Sequence, residues 1–149
     1  MKRLRYWSVR NARGLHWAYQ GLETCLVVLH PIFKRLGYRR LDQGFAAVEK
    51  LLKGFLFDSQ SCGQCTLSET GMACPMNCPK SLRNGPCGGV RANGNCEVEP
   101  DMPCVWLQAW QGNQRMRNTT KILSIQQPVD QSLKGTSAWL RETAKRANP

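Results

Sequence analysis

Cysteines crowd the middle of the chain, where their spacing is typical of a metal site. They follow the pattern C-x2-C, then C-x3-C-P, then three single cysteines separated by seven or eight residues. A C-x2-C turn places two sulfurs on one side of a tight loop, within reach of one metal ion or cluster. We therefore predict a metal site whose candidate ligands are Cys62, Cys65, Cys74, Cys78, Cys87, Cys96 and Cys104.

The identity of the metal is narrowed by what surrounds these cysteines. Both histidines, His16 and His30, lie far upstream, so all-sulfur ligation by zinc or by an iron–sulfur cluster is the simplest case. The C-x3-C-P element is similar to the end of a bacterial ferredoxin run, and a zinc ribbon would show a second C-x2-C pair. This favours one or two [4Fe–4S] clusters, with zinc as the alternative, and the grouping of the seven thiols stays open.

The eighth cysteine, Cys25, is not a predicted ligand, and the rest of the chain indicates the cellular compartment. Cys25 lies in an apolar helical pattern, so we expect a small buried side chain rather than a ligand. The basic N-terminus does not resemble a secretory signal, which predicts a cytoplasmic protein with reduced thiols. The longest apolar run, Cys25–Phe33, is too short to span a membrane and is broken by Pro31.

The formal net charge of +11 raises the question of nucleic-acid binding. Basic residues concentrate on both sides of the cysteine-rich segment, which is itself slightly acidic. A zinc-ribbon reader of DNA would place its cations among the cysteines. A solvated basic face is therefore favoured, and nucleic acid is an unlikely partner.

The N-terminal third is predicted to be helical. Pro31 should end or kink a helix near His30, and Gly37 suits a break. The strongest helical pattern is Leu41–Phe57. Its apolar stripe is expected to face the core, with a docking surface for a larger partner as the alternative. The stripe comprises Leu41, Phe45, Val48, Leu52 and Phe55, flanked by Leu51 and Leu56.

The remainder combines loops with two more helices. Asn-Gly and Gly-Gly pairs predict turns through the cysteine-rich segment, with a short hairpin over Val90–Val98 and little apolar material to hold it. A helix capped by Asp101 or Met102 would place Cys104 in its first turn. A final helix should run over Ala138–Arg146 behind Thr136 or Ser137.

These elements predict a small α-rich domain with an irregular, metal-organised cysteine-rich segment. The expected regions are a basic helical docking region over 1–58, a cysteine-rich metal-binding module over 59–110 and a basic tail with a short helix over 111–149. The chain contains no G-x-G-x-x-G, P-loop or G-x-S-x-G motif, so nothing predicts catalysis or flavin binding by this chain alone.

The cysteine-rich segment resembles the methylenetetrahydrofolate reductase C-terminal domain family. The resemblance is carried by CPMNCPKSLRNGPCGG and CEVEPDMPCVW within Cys62–Trp106, about a third of the chain. It implies a cytoplasmic accessory subunit that binds iron–sulfur clusters or zinc beside a TIM-barrel reductase. That partner would carry the FMN or FAD, and this chain would pass electrons to it or support its structure. The alternative is a zinc-binding structural or recruitment module without redox chemistry.

Overall fold

The computed structural model describes residues 2–116 and 119–147, and the part of the chain that it describes is helix-rich and contains no strand. Three short 3-10 turns, Pro75–Asn77, Thr119–Leu123 and Gln131–Leu133, lie between the α-helices. The α-helices are α1 (Lys2–Arg10), α2 (Ala12–Val28), α3 (His30–Leu36), α4 (Tyr38–Phe57), α5 (Val105–Arg115) and α6 (Ala138–Ala147). No helix in those two ranges is long and apolar enough to cross a membrane.

The predicted breaks in the N-terminal helices are confirmed. Helix α2 ends at Val28, and α3 begins at His30 with Pro31 in its first turn, where the missing N–H costs nothing. Gly37 separates α3 from α4 with φ of 87°, a left-handed value that favours glycine. The final helix is also confirmed, because Ser137 precedes α6 and its hydroxyl accepts from Leu140 N–H.

Helix α4 contains the predicted Leu41–Phe57, but the expectation that its apolar stripe faces the core is wrong for most of the helix. Phe45 is half-buried and meets Phe33 edge-on at 5.4 Å between ring centroids. Further along, Val48, Leu52 and Phe55 are 54%, 46% and 64% exposed.

The buried residues of α4 are instead Glu49, Lys53 and Phe57. At 3.6 residues per turn, their face lies about a third of a turn around the helix from the apolar stripe. This buried face packs against α1 and α6. At the start of α6, Trp139 N–H donates a hydrogen bond to the carboxylate of Glu49. Helix α4 thus packs against its neighbours through a partly charged face and exposes most of its apolar face to solvent.

Helix α5 starts at Val105, later than the predicted cap at Asp101 or Met102, so Cys104 is the N-cap residue rather than part of the first turn. The residues before it are held in other backbone contacts. The Met102 carbonyl accepts from Cys96 N–H at 2.8 Å, and Pro103 forms an isolated antiparallel bridge with Asn95. A chain engaged in these contacts cannot also form a helical turn.

The predicted hairpin over Val90–Val98 does not form as a pair of strands. Its turn is present, since Gly94 N–H donates to the Arg91 carbonyl and Arg91 N–H to the Asn95 carbonyl. Beyond that turn, the chain pairs with the residues before α5 instead. The Asn-Gly signal therefore located the turn but not the partner segment.

The main hydrophobic core joins the helices to the cysteine-rich segment. Leu67 and Met72 are almost fully buried in it, which corrects the expectation that this segment has little apolar material of its own. The segment also contacts α5 closely, because a Cβ on Gly71 would collide with the Ala109 carbonyl and one on Gly112 with the Gly71 carbonyl. The core residues are Ala12, Tyr19, Leu26, Phe33, Phe57, Leu67, Met72, Cys74, Met116, Trp139 and Leu140.

Candidate metal site

All eight cysteines are free thiols, and those of the cysteine-rich segment divide into two neighbourhoods. In the first, the thiols of Cys62 and Cys65 lie near enough to Cys74 to act on it electrostatically. In the second, Cys87 and Cys96 act together on the ammonium group of Lys80. The sequence spacing did not separate these groups.

The first neighbourhood is built on a tight turn. Ser61 and Gly63 both have positive φ, which reverses the chain between Cys62 and Cys65. Gly63 packs against the Leu133 carbonyl, where a Cβ would collide. The C-x2-C turn is therefore fixed from outside by the 3-10 turn before α6, and its two sulfurs stay half-buried.

Two buried cations lie beside these thiols. Arg83 approaches Cys62 with 3.8 Å between Nη1 and Sγ, and its Nη2 donates to the Gln64 carbonyl at 2.7 Å. Lys53, only 3% exposed, interacts with Cys65. Such electropositive surroundings stabilise thiolates, which are the form of cysteine that binds metals.

Lys53 is held in a cage of aromatic and acidic side chains. Its Nζ lies 2.5 Å from Glu49 Oε1 and sits over the rings of Tyr19 and Trp139, at 5.3 and 4.8 Å from their centroids. Burial alone would lower the pKa of Lys53, but the neighbouring Cys65 and Glu49 raise it. The ammonium therefore stays charged beside Cys65.

The phenol of Tyr19 completes this cage. Its hydroxyl donates to Cys65 Sγ at 3.5 Å and accepts from Trp139 Nε1 at 3.2 Å. Burial, together with the Cys65 thiol, raises the pKa of Tyr19, so the phenol stays protonated and remains a donor. Cys65 is thus contacted by two donor groups, one neutral and one cationic.

Cys74 is the buried member of the group, 5% exposed. Burial raises the pKa of its thiol to about 11, partly offset by backbone N–H groups of Gln60 and Met76 that favour the thiolate. Cys78 follows the 3-10 turn that begins at Pro75, four residues further along the chain from Cys74, and is half-buried.

The second neighbourhood is more exposed. Cys87 Sγ lies 3.6 Å from Glu97 Oε1 and accepts from Gly89 N–H at 3.4 Å. Glu97 also pairs with Lys80, and that contact lowers the pKa of Glu97. Cys96 is buried against Met102 in a small apolar cluster of its own.

Cys104 belongs to the same side of the molecule. It lies next to the Asn95–Pro103 bridge, and its N–H donates to the Gly94 carbonyl at 3.0 Å. Cys25 is exposed on α2, so the expectation of a buried side chain there is wrong.

The chemistry of these thiols suits a thiophilic metal, but within the described chain their positions do not form a complete metal site. They are free, and several are flanked by cations or backbone donors. Within residues 2–116 and 119–147, however, no three His, Cys, Asp or Glu side chains converge closely enough to hold a metal ion. The seven candidate ligands remain a prediction.

The sequence did not indicate that Lys53, Arg83 and Tyr19 would lie beside the cysteines. Glu49 and Lys53 stand four apart on α4, a spacing that usually means an exposed helical ion pair. The available signal was their position off the apolar stripe, on the face of α4 that ends at the apolar Phe57. Arg83 carried no signal beyond its place between cysteines.

The described part of the chain is thus a helical scaffold that carries a loop segment rich in free thiols. The family model for the methylene-tetrahydrofolate reductase C terminal matches residues 38–132, well over half of the chain. The chain belongs to that family, as the resemblance predicted. Comparisons with curated proteins and with solved structures gave no match.

Proposed function

We propose that this chain is an accessory, metal-binding subunit of a methylenetetrahydrofolate reductase complex. The observation that carries the proposal is the family match over residues 38–132, which begins at α4 and includes every cysteine of the cysteine-rich segment. Association with such a reductase follows from the family. The metal, the partner subunit and a cytoplasmic location are the proposed parts.

The contacts of the thiols support a metal-binding role. Lys53 and Arg83 place buried positive charge beside Cys65 and Cys62, which would offset the negative charge of a thiolate-ligated centre. Cys62, Cys65, Cys74 and Cys78 are the proposed ligands of one centre. Cys87, Cys96 and Cys104 are available for a second one.

The chain's own residues would bind and insulate such a centre. Leu67 and Met72 exclude water beside Cys74, while Tyr19 and Lys53 orient Cys65. An iron–sulfur cluster, when bound, supplies one-electron transfer, whereas zinc supplies a structural cross-link. A flavin would belong to the partner.

The test is purification of the tagged chain from its native host without oxygen, at its native expression level. We expect the host's methylenetetrahydrofolate reductase, identified by mass spectrometry, to co-purify in a fixed ratio with flavin. Iron and acid-labile sulfide analysis, beside zinc analysis, then separates the two roles. Stoichiometric zinc in a colourless protein would refute electron transfer and leave the structural role, and absence of the reductase would refute the proposed function.

A further inference from the structure

An apolar groove of about 590 Å³ runs along the exposed side of α4. Helix α2 forms its other wall and the start of α6 its end. The groove is lined mainly by Leu22, Leu41, Phe45, Val48, Leu52 and Trp139. Among the described residues that line the groove, Arg40 is the one with a charged side chain, so the surface of the groove is almost entirely hydrocarbon.

One wall of the groove is the apolar stripe of α4, which was predicted to face the core and is largely exposed instead. Leu51 and Phe55, at 73% and 64% exposed, extend the apolar surface beyond it. Contiguous exposed apolar surface of this kind marks an interaction site in a soluble protein. The neighbouring face of α4, with the buried Glu49–Lys53 pair, contacts Ser137 and Trp139, and this orientation leaves Val48 and Leu52 in solvent.

Positive charge reaches the groove at Arg40, which lies on its lining next to further cations along the chain. Lys34, Arg35, Arg39 and Arg40 are all exposed where α3 meets α4. The one acid between residues 24 and 48 is Asp42, which accepts from Ser137 N–H at 3.1 Å. A partner surface that fits this border must carry carboxylates.

We propose that the α4 groove is the docking site for the reductase subunit, which inserts an apolar ridge edged by acidic side chains. This rests on the proposed function and adds the surface through which it acts. Helix α4 opens the segment that matches the family, so the α4 wall of the groove belongs to the shared part of the chain, whereas the α2 wall does not. The basic N-terminal helices α1 to α3 lie outside that match.

The charge and shape of the groove favour the reductase over two other occupants, a second copy of the chain and a lipid surface. A second copy of the chain would bring the same cationic border against itself, at a net charge of +11 per chain. A lipid surface is flat, whereas the groove is concave and has nearly buried Leu26 and Trp139 on its lining. An acidic, ridge-shaped protein surface satisfies both features.

The experiment measures binding of the purified host reductase to the full chain by isothermal titration calorimetry. The double substitution V48E/L52E should weaken binding by about 30-fold or more, the size expected for loss of central apolar contacts. R40E should weaken it by about 10-fold, with a reduced dependence on salt. The control is I125E, which also replaces a branched aliphatic side chain with glutamate, at an 88% exposed residue outside the groove, and should stay within about 2-fold.

The outcomes separate this inference from the proposed function. Glutamate has a helix propensity similar to that of leucine and higher than that of valine, so the two substitutions should leave α4 helical; unchanged circular dichroism will show that the V48E/L52E variant is folded. If the unaltered chain binds and V48E/L52E binds equally well, the docking site is refuted while the proposed function stands. If the unaltered chain does not bind the reductase, both are refuted. A dimer in sedimentation, or binding to phosphatidylglycerol vesicles, that V48E/L52E abolishes while reductase binding persists would assign the groove to that other occupant.

Discussion

The helices and the cysteine-rich segment are stabilised in different ways. The helices pack through aromatic and aliphatic side chains, and they are bounded by capping residues such as Gly37 after α3 and Ser137 before α6. Between Ser59 and Cys104 the cysteine-rich segment contains one 3-10 turn and one isolated bridge, and the rest of it is turns, bends and irregular chain. In the described chain, all four non-glycine residues with positive φ lie in it or at its border: Asp58, Ser61, Met72 and Ser81.

This difference shows where additional stabilisation is needed. A left-handed conformation at a residue with a side chain costs about 1 kcal/mol or more, and it persists where the surroundings enforce it. Met72 is enforced by complete burial, whereas Ser61 and Ser81 lie at the half-buried or exposed edges, next to cysteines or between them. A metal bound by those cysteines would hold the edges in place.

The largest expected effect is at the point where the two regions meet. Lys53→Met removes the charge that balances Glu49 and should lower the free energy of unfolding by about 3 kcal/mol, since a buried charge then loses its partner. Lys50→Met changes the same residue type on the exposed side of α4 and should stay within about 0.5 kcal/mol. Urea denaturation measures both. Equal values for the two variants would mean that the buried pair contributes nothing to the link between the regions.

Two glycines give an opposed pair of substitutions. Gly112→Ala should destabilise by about 2 kcal/mol, because the new methyl group meets the Gly71 backbone where α5 supports the cysteine-rich segment. Gly14→Ala, in exposed α2 with open space around it, should stabilise by about 0.5–1 kcal/mol. Thermal unfolding of both proteins gives the sign of each. A stabilising Gly112→Ala would show that α5 and the segment are not in close contact.

The smallest expected effect concerns His16, which is buried in α2 with no hydrogen-bond partner for Nδ1 in the described structure. Burial, with Lys121 nearby, lowers the pKa of His16 below 6.5. The unfolded chain then binds more protons than the folded one below about pH 6.5, so acidification to pH 5 should reduce stability by up to about 1 kcal/mol. His16→Gln should remove that part of the pH dependence in urea denaturation at pH 5 and 7. An identical slope in both proteins would exclude His16 as its source.

Local signals predicted the helices well and their contacts less well. Pro31, Gly37 and Ser137 act within one or two turns of helix, so their effects could be read from the sequence. The orientation of α4 could not, because Leu and Phe at helical spacing look the same whether they face a core or a partner. Its true core face depends on Ser137, which is 88 residues from Glu49 along the chain.

The candidate site shows the same limit. The spacing identified the thiols but not their neighbourhoods, which depend on distant contacts such as the Asn95–Pro103 bridge and the approach of Arg83 to Cys62. Lys53 enters from α4, outside the cysteine-rich segment altogether. A pattern confined to cysteines cannot indicate cations that arrive from other elements.

The central proposal is that a bound metal organises the cysteine-rich segment, whereas the helices fold without it, although Leu67 and Met72 of that segment pack in their core. Its most direct test is hydrogen–deuterium exchange on anaerobically purified protein of known metal content, before and after metal removal by a chelator, with ferricyanide added where the metal is iron. We predict at least one bound metal centre, loss of protection over 59–104 on removal, and retained protection in α4 and α6. Cys74→Ser should reduce the metal content, and the matched Cys25→Ser should not. Metal-free protein with the same protection over 59–104 would contradict the account.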